Sequence, residues 1–251
     1  VDDTFNIVAR TVPTGLNVTY TSSDDAVVTV DVDGKITAHA EGSAIITVSV
    51  GGDGIYALNS TNVNVTVSKI PTNINITNNT VVLNVGDNIS SGASLIPATA
   101  GNLTYTSNNP NIAKVENGKI IALAEGNAII TVSFAGDDKY APADDKTISV
   151  TVKLRDASVI VNNDTLDLNV DDSFELIATT VPSGLNVTYT SNNESVATVD
   201  ADGKVTAKAE GSAIITATVG GDGVYALNST NVAVTVSKVP TEINIANATV
   251  N

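Results

Sequence analysis

His39 is the only histidine in a chain that also lacks cysteine, so imidazole acid–base or metal chemistry has one place to occur. The same place in two later copies of the surrounding sequence holds Leu123 and Lys208. A position that takes His, Leu and Lys alike is an exposed strand or loop face. With no second histidine, no cysteine and no Gly-x-Ser-x-Gly elbow, a nucleophile, its base and a group to orient that base cannot be assembled. No catalytic and no cofactor-binding residue is therefore assigned, and the chain does not read as an enzyme.

Carboxylates are the next candidates, as the pairs Asp2-Asp3, Asp24-Asp25, Asp137-Asp138, Asp144-Asp145 and Asp171-Asp172 and the spaced Asp31/Asp33. Calcium needs several converging carboxylate and carbonyl oxygens. None of these runs has the Asp-x-Asp-x-Asp-Gly spacing of a dedicated loop, and Asp33 and Asp202 already have turns to make. Asp53, Asp137 and Asp222 stand a few residues before Tyr56, Tyr140 and Tyr225. They are the weak metal candidates, against the simpler reading of a turn aspartate capping its own backbone ahead of a core tyrosine. No metal or other cofactor is expected, with calcium the one ion to weigh.

Two covalent chemistries remain. A Lys–Asn isopeptide crosslink needs a buried lysine beside an asparagine and a carboxylic acid, but Lys35, Lys119 and Lys204 alternate out of phase with the apolar Ile36, Ile120 and Val205, which turns them to solvent. Asn-x-Ser/Thr acceptors occur at Asn17, Asn59, Asn64, Asn75, Asn78, Asn88, Asn102, Asn163, Asn186, Asn193, Asn228 and Asn247. These are the glycosylation candidates; the alternative is a polar strand face that resists edge-to-edge aggregation.

The elements that carry these residues are written three times. Gly34-Lys35-Ile36-Thr37-Ala38, then Glu41-Gly42 and Ala44-Ile45-Ile46-Thr47-Val48, returns as Gly118 to Val132 and as Gly203 to Ala217. The period is about 85 residues, and self-similarity of this kind marks one structural unit per copy. The reading divides the chain into repeat 1 (1–71, lacking its first strand), repeat 2 (72–156), repeat 3 (157–240) and a segment (241–251) that is the first strand of a following repeat. The joints Ser68-Lys69-Ile70-Pro71, Lys153-Leu154-Arg155-Asp156 and Ser237-Lys238-Val239-Pro240 are short, and two end in proline, which stiffens them.

Within each copy the apolar period is two, as in Ala44/Ile46/Val48/Val50 and Val63/Val65/Val67, so each strand has one face in a core and one in water. Asp33-Gly34, Asn117-Gly118 and Asp202-Gly203 mark tight hairpins. About seven short strands per copy, and nothing helical, predict an all-β chain of tandem immunoglobulin-like antiparallel β-sandwiches arranged end to end. Copy 2 departs from the pattern at Ser90-Ser91-Gly92, where the alternation lapses.

The run Ser195 to Asp200, a turn, Gly203-Lys204-Val205-Thr206-Ala207, Glu210-Gly211 and Ala213-Ile214-Ile215-Thr216 resembles the group 2 bacterial immunoglobulin-like domain, and the resemblance recurs across nearly the whole chain. It implies a β-sandwich and an extracellular, cell-surface location, as in the stalks of bacterial adhesins and the adhesin-like proteins of methanogenic archaea. It implies no ligand and no active-site residue.

Acidic residues outnumber basic ones 27 to 12, for a formal charge of -15. Nucleic acid and anionic membrane both require clustered Lys or Arg and are disfavoured as partners. No apolar run reaches the length of a membrane helix, so no insertion is expected. The leading reading is a structural and adhesive surface stalk or fibre for attachment to a host or neighbouring-cell receptor or glycan. The alternatives are an array of carbohydrate-binding modules, disfavoured by the absence of Trp, and spacer domains of a larger extracellular enzyme. A further expectation concerns the termini: Val1 opens inside a repeat, as in a fragment or processed product, and Thr249-Val250-Asn251 running into Val1-Asp2-Asp3 is a close counterpart of Leu168-Asn169-Val170-Asp171-Asp172. Copies of the chain are therefore expected to join head to tail through residues 241–251, by covalent continuity or by a donated strand.

Overall fold

In the computed structural model the described residues are 1–244. They form β-strands throughout, with one short 3-10 turn at Ala98–Ala100 as the exception to the expected absence of helix. Every copy of the Ala-Ile-Ile-Thr run is a nine-residue strand, Gly42–Val50, Gly126–Phe134 and Gly211–Val219, with alternate residues buried. β-branched side chains at a period of two suit this pleated, half-buried setting.

Repeat 3 shows the complete unit. One sheet has the order Thr165–Asn169, Asn228–Ser237, Gly211–Val219, Val187–Ser191; a second has Ser173–Glu175, Lys204–Ala207, Ala197–Val199; and Ser158–Val161 pairs with Ala178–Val181. Repeat 2 repeats this arrangement strand for strand. Each holds nine strands rather than about seven. The opening segment breaks into two strands, as at Ser158–Val161 and Thr165–Asn169, and so does the next, as at Ser173–Glu175 and Ala178–Val181, so that each half joins a different sheet. Within the antiparallel frame, the second half of the opening segment pairs in parallel with the last strand: Thr165–Asn169 runs beside Ala233–Ser237, and Thr80–Asn84 beside Ser149–Lys153.

Ile130, Val132, Ile148, Val150 and Val152 in repeat 2, and Ile215, Ala217, Val232, Val234 and Val236 in repeat 3, are almost completely removed from solvent. These are inward positions of adjacent strands, so the core lies between the sheets. Where the alternation lapses, Ser91 is 6% exposed in the place of Leu176, and its hydroxyl lies 3.2 Å from the Tyr105 hydroxyl, so the buried polar group is paired.

The three hairpins are of two kinds. In repeat 2, Glu116 and Lys119 pair across Asn117-Gly118, both at positive φ. In repeats 1 and 3 the loop is one residue longer and only the glycine has positive φ. There the carboxylate of Asp31 accepts from the amides of Asp33 and Lys35, as that of Asp200 does from Asp202 and Lys204.

Candidate functional site

The structure draws attention to the joints. Asp53, Asp137 and Asp222 each stand in the loop between the last two strands of a repeat. Asp137 Oδ1 accepts from the amides of Lys139 at 2.8 Å and Tyr140 at 2.7 Å; Asp53 does the same for Ile55 and Tyr56, and Asp222 for Val224 and Tyr225. These backbone donors, Tyr140 first for Asp137, Tyr56 for Asp53 and Tyr225 for Asp222, hold all three carboxyls below the usual carboxylate range.

The loop so shaped grips the linker entering its repeat. The Ile70 amide donates to Lys139 O at 2.9 Å, and the Ala141 amide donates back to Ile70 O at 2.9 Å. At the next joint the Arg155 amide donates to Val224 O and the Ala226 amide to Arg155 O, each at 2.8 Å. Gly136 and Gly220 allow the close approach: both have positive φ, and a Cβ on either would overlap the returning backbone, at Tyr140 O and Pro142 N or at Ala226 O. Of the three tyrosines, Tyr140 packs against the core of repeat 2, as the sequence suggested. Tyr56 is 39% exposed, and Tyr140 and Tyr225 are half-buried, Tyr140 with its hydroxyl 3.2 Å from that of Thr99.

Ionic contacts add to both joints. Lys139 Nζ lies 2.6 Å from Asp2 Oδ2, which ties repeat 2 back to repeat 1, lowers the carboxyl's pKa and raises that of the lysine. Arg155 Nε donates to Val85 O at 2.8 Å while its guanidinium meets Asp87 at 2.5 Å. Sequence reasoning missed Arg155. Its signal was there, since it is one of two arginines in the chain and stands in a joint.

The remaining candidates do not converge. His39 is exposed, 2.7 Å from Thr29 Oγ1, and Lys35, Lys119 and Lys204 are exposed as well. Among the described residues no group of three or more His, Asp or Glu side chains comes together, and Asp53, Asp137 and Asp222 lie in separate repeats. Among the sequons, Asn247 lies outside the described residues. Asn193 is half-buried, with Nδ2 donating to Ser212 O and Oδ1 accepting from Ser195 Oγ. Asn17, Asn59, Asn64, Asn75, Asn78, Asn88, Asn102, Asn163, Asn186 and Asn228 are exposed.

Tandem immunoglobulin-like sandwiches with clasped joints make an array of modules. The chain belongs to the bacterial Ig-like domain (group 2) family, whose model matches residues 1–55, 70–143 and 157–227. A comparison with curated proteins finds no match. Among solved structures, Drosophila N-cadherin EC1-3 is 15% identical with a TM-score of 0.35, over 94% of this chain and 92% of that one. The surface layer protein SbsC, domains 1-6, is 22% identical with a TM-score of 0.30, over 91% of this chain and 36% of that one. The Sidekick-1 immunoglobulin domains 1-4 are 11% identical with a TM-score of 0.27, over 94% of this chain and 71% of that one.

Proposed function

We propose that the chain is a segment of a stiff cell-surface stalk or fibre that serves attachment. The observation that carries this reading is the pair of clasped joints: a linker backbone bonded on both sides to a loop of the following repeat, with an ion pair beside each. A linker pinned by two hydrogen bonds has little freedom to swing, so each repeat sets the direction of the next. The functional surface is then the length of the array, with its acidic, hydroxyl- and amide-rich faces turned outward; exposed sequons give glycans a place on those faces without crowding the core. Copies joined head to tail would lengthen the stalk into a filament, provided the rotation at each contact does not close a ring.

Small-angle scattering and surface labelling test the reading. Strands of nine to eleven residues at about 3.3 Å per residue make each repeat about 30 to 36 Å long, so three in line reach roughly 100 Å, with a radius of gyration near 30 Å. A compact particle of this length of chain would give about 18 Å, and that value would refute the stalk. Antibodies raised against the chain should label intact cells of the source; labelling only after lysis would refute the surface location.

A further inference from the structure

The asparagines of this chain do two different jobs. Asn62, Asn108, Asn127, Asn162, Asn192 and Asn231 stand outside any Asn-x-Ser/Thr run, and each accepts a hydrogen bond through its side-chain oxygen. Among the described sequons only Asn193 and Asn228 use the side-chain amide in this way, Asn228 at a long 3.4 Å. Of the rest, Asn59, Asn64, Asn75 and Asn88 lie within strands, where the backbone is tied into a ladder. Those that remain, Asn17, Asn78, Asn102, Asn163 and Asn186, are exposed, outside the strands and unbonded through the side chain among the described residues. All of them stand in one kind of place. Asn17, Asn102 and Asn186 come just before Val18–Ser22, Thr104–Ser107 and Val187–Ser191, each the strand at one edge of its sheet; Asn78 and Asn163 come just before Thr80–Asn84 and Thr165–Asn169, the strands at the opposite edge.

Both edges carry open backbone. Val18–Ser22, Thr104–Ser107 and Val187–Ser191 pair on one side only. At the opposite edge the parallel strand is short: Thr80–Asn84 covers Ser149–Lys153 but leaves residues 143–148 bare, and Thr165–Asn169 covers Ala233–Ser237 but leaves 228–232 bare. An open polar cleft of about 700 Å³ lies at the first of these bare stretches, lined by Asn78 together with Asp145, Lys146 and Thr147. An unpaired edge invites a strand from another molecule, and charge on the edge opposes it. Repeat 2 has that charge in Asp144, Asp145 and Lys146, whereas the same stretch of repeat 3, Asn228 to Asn231, has none.

We propose that Asn17, Asn78, Asn102, Asn163 and Asn186 carry N-linked glycans, and that these sugars cover the open sheet edges so that neighbouring stalks do not pair strand to strand. The inference deepens the stalk reading and rests on it for a surface location. The donor is an oligosaccharide carried on a lipid phosphate or pyrophosphate. The asparagine amide nitrogen attacks the anomeric carbon of the first sugar: the N–C bond forms, the C–O bond to the phosphate breaks, the phosphate leaves with that electron pair, and the amide proton passes to a base of the transferase. To react, the acceptor segment must leave the protein surface for the groove of the transferase, which a ladder-bonded strand resists and a turn allows. Once attached, a bulky hydrated glycan at the entry to an edge strand fills the space that an incoming strand would need.

Glycopeptide mass spectrometry on the chain purified from its source cells tests the sites. Sugar should be found at Asn17, Asn78, Asn102, Asn163 and Asn186, with bare asparagine at Asn193 and at Asn59, Asn64, Asn75 and Asn88. Bare asparagine at the first five, or sugar spread equally over the strand sequons, overturns the assignment. Thr165→Ala with Thr188→Ala, made in the same cells, removes both acceptor motifs of repeat 3 at exposed positions and keeps both asparagines. This variant should lose two glycans, shift from monomer to dimer and larger species in sedimentation, and show slowed amide exchange at Thr190 and Thr230. Thr165→Ser with Thr188→Ser keeps the motif and should restore both the sugars and the monomer. Thr80→Ala with Thr104→Ala in repeat 2 should lose its glycans but associate less, because Asp144, Asp145 and Lys146 still guard that edge. Stripped variants that stay monomeric, or a serine variant that regains its sugars and still associates, overturn the shielding role. Bare asparagines on a particle that scattering shows to be extended refute the glycans and spare the stalk; sugars on a compact particle do the reverse.

Discussion

Ile215→Ala should destabilise repeat 3 by about 3 to 4 kcal/mol and leave repeat 2 unchanged. Ile215 is 0% exposed, sits at the middle of Gly211–Val219 and faces Val232 across the ladder. The substitution removes three carbon groups at about 0.8 kcal/mol each, roughly 2.4 kcal/mol of transfer free energy. If a void of about 50 Å³ remains after relaxation, a further ~1.2 kcal/mol follows at about 24 cal/mol per Å³. Ile46 is the same residue in repeat 1 and is also 0% exposed, but it stands beside the half-open Val63 and Val65. A wall open on one side can move in, so Ile46→Ala should cost nearer the transfer part, about 2.5 kcal/mol in dilute solution. Because three domains do not unfold as one two-state system, the assay is native-state amide hydrogen exchange, read on Val234 for repeat 3, Val65 for repeat 1 and Val150 for repeat 2. A loss below ~1 kcal/mol at Val234, or an equal loss in all three repeats, would refute the separate close-packed cores on which the calculation rests.

Three further outcomes follow. Gly220→Ala should loosen the Gly220–Ala226 loop and speed exchange at the Arg155 amide, whereas Gly223→Ala, with open space around its Cβ, should cost only the strain of positive φ, about 1 kcal/mol; the reverse order, measured by exchange and thermal unfolding, would rule out the steric reading. The Asp2–Lys139 contact has a lowered carboxyl pKa and a raised ammonium pKa, so its contribution is present between about pH 4 and pH 10. It is lost as pH falls through the depressed carboxyl value or rises through the elevated lysine value, and scattering should show the first joint loosening at those extremes and in high salt while Asp2→Asn shows no such dependence. Asp137→Ala should speed exchange at Lys139 and Tyr140 and release the clasp on Ile70, and added calcium should leave the wild-type exchange pattern unchanged; a calcium-dependent rise in protection at Tyr140 would overturn the capping role.

The strands were legible because alternation is a local signal: Ala44, Ile46 and Val48 announce a buried face without reference to anything distant. The outward lysines followed by the same rule. The sheet to which Thr165–Asn169 belongs was not legible, since Leu166 and Leu168 alternate equally well beside a parallel or an antiparallel neighbour, and only the packing of the whole unit selects Asn228–Ser237. The opening segment could not be divided from sequence for the same reason; Ser158–Val161 and Thr165–Asn169 differ in partner, not in pattern. The turns that Asp53, Asp137 and Asp222 shape are local and visible in the sequence, but their consequence was hidden. A cap is fixed by a residue two or three positions on, whereas the linker that the capped loop holds is about 70 residues away in sequence. Burial of Ser91 likewise depends on Tyr105, a partner on another strand, which one-dimensional alternation does not reveal.

In each complete repeat the opening and closing strands lie side by side in parallel, Thr165–Asn169 against Ala233–Ser237 and Thr80–Asn84 against Ser149–Lys153. Tension along the chain enters a repeat near one end of this pair and leaves near the other, so it slides the strands lengthwise. Hydrogen bonds across parallel strands then carry the load together, in shear; they cannot be opened one after another, as they would be if the two chain ends were peeled from the same edge. A pulled array therefore resists up to a high force and then yields one repeat at a time, each yielding repeat releasing a length of slack that protects the others. For a stalk held at one end and loaded at the other, the direction in which one short strand runs sets the breaking strength.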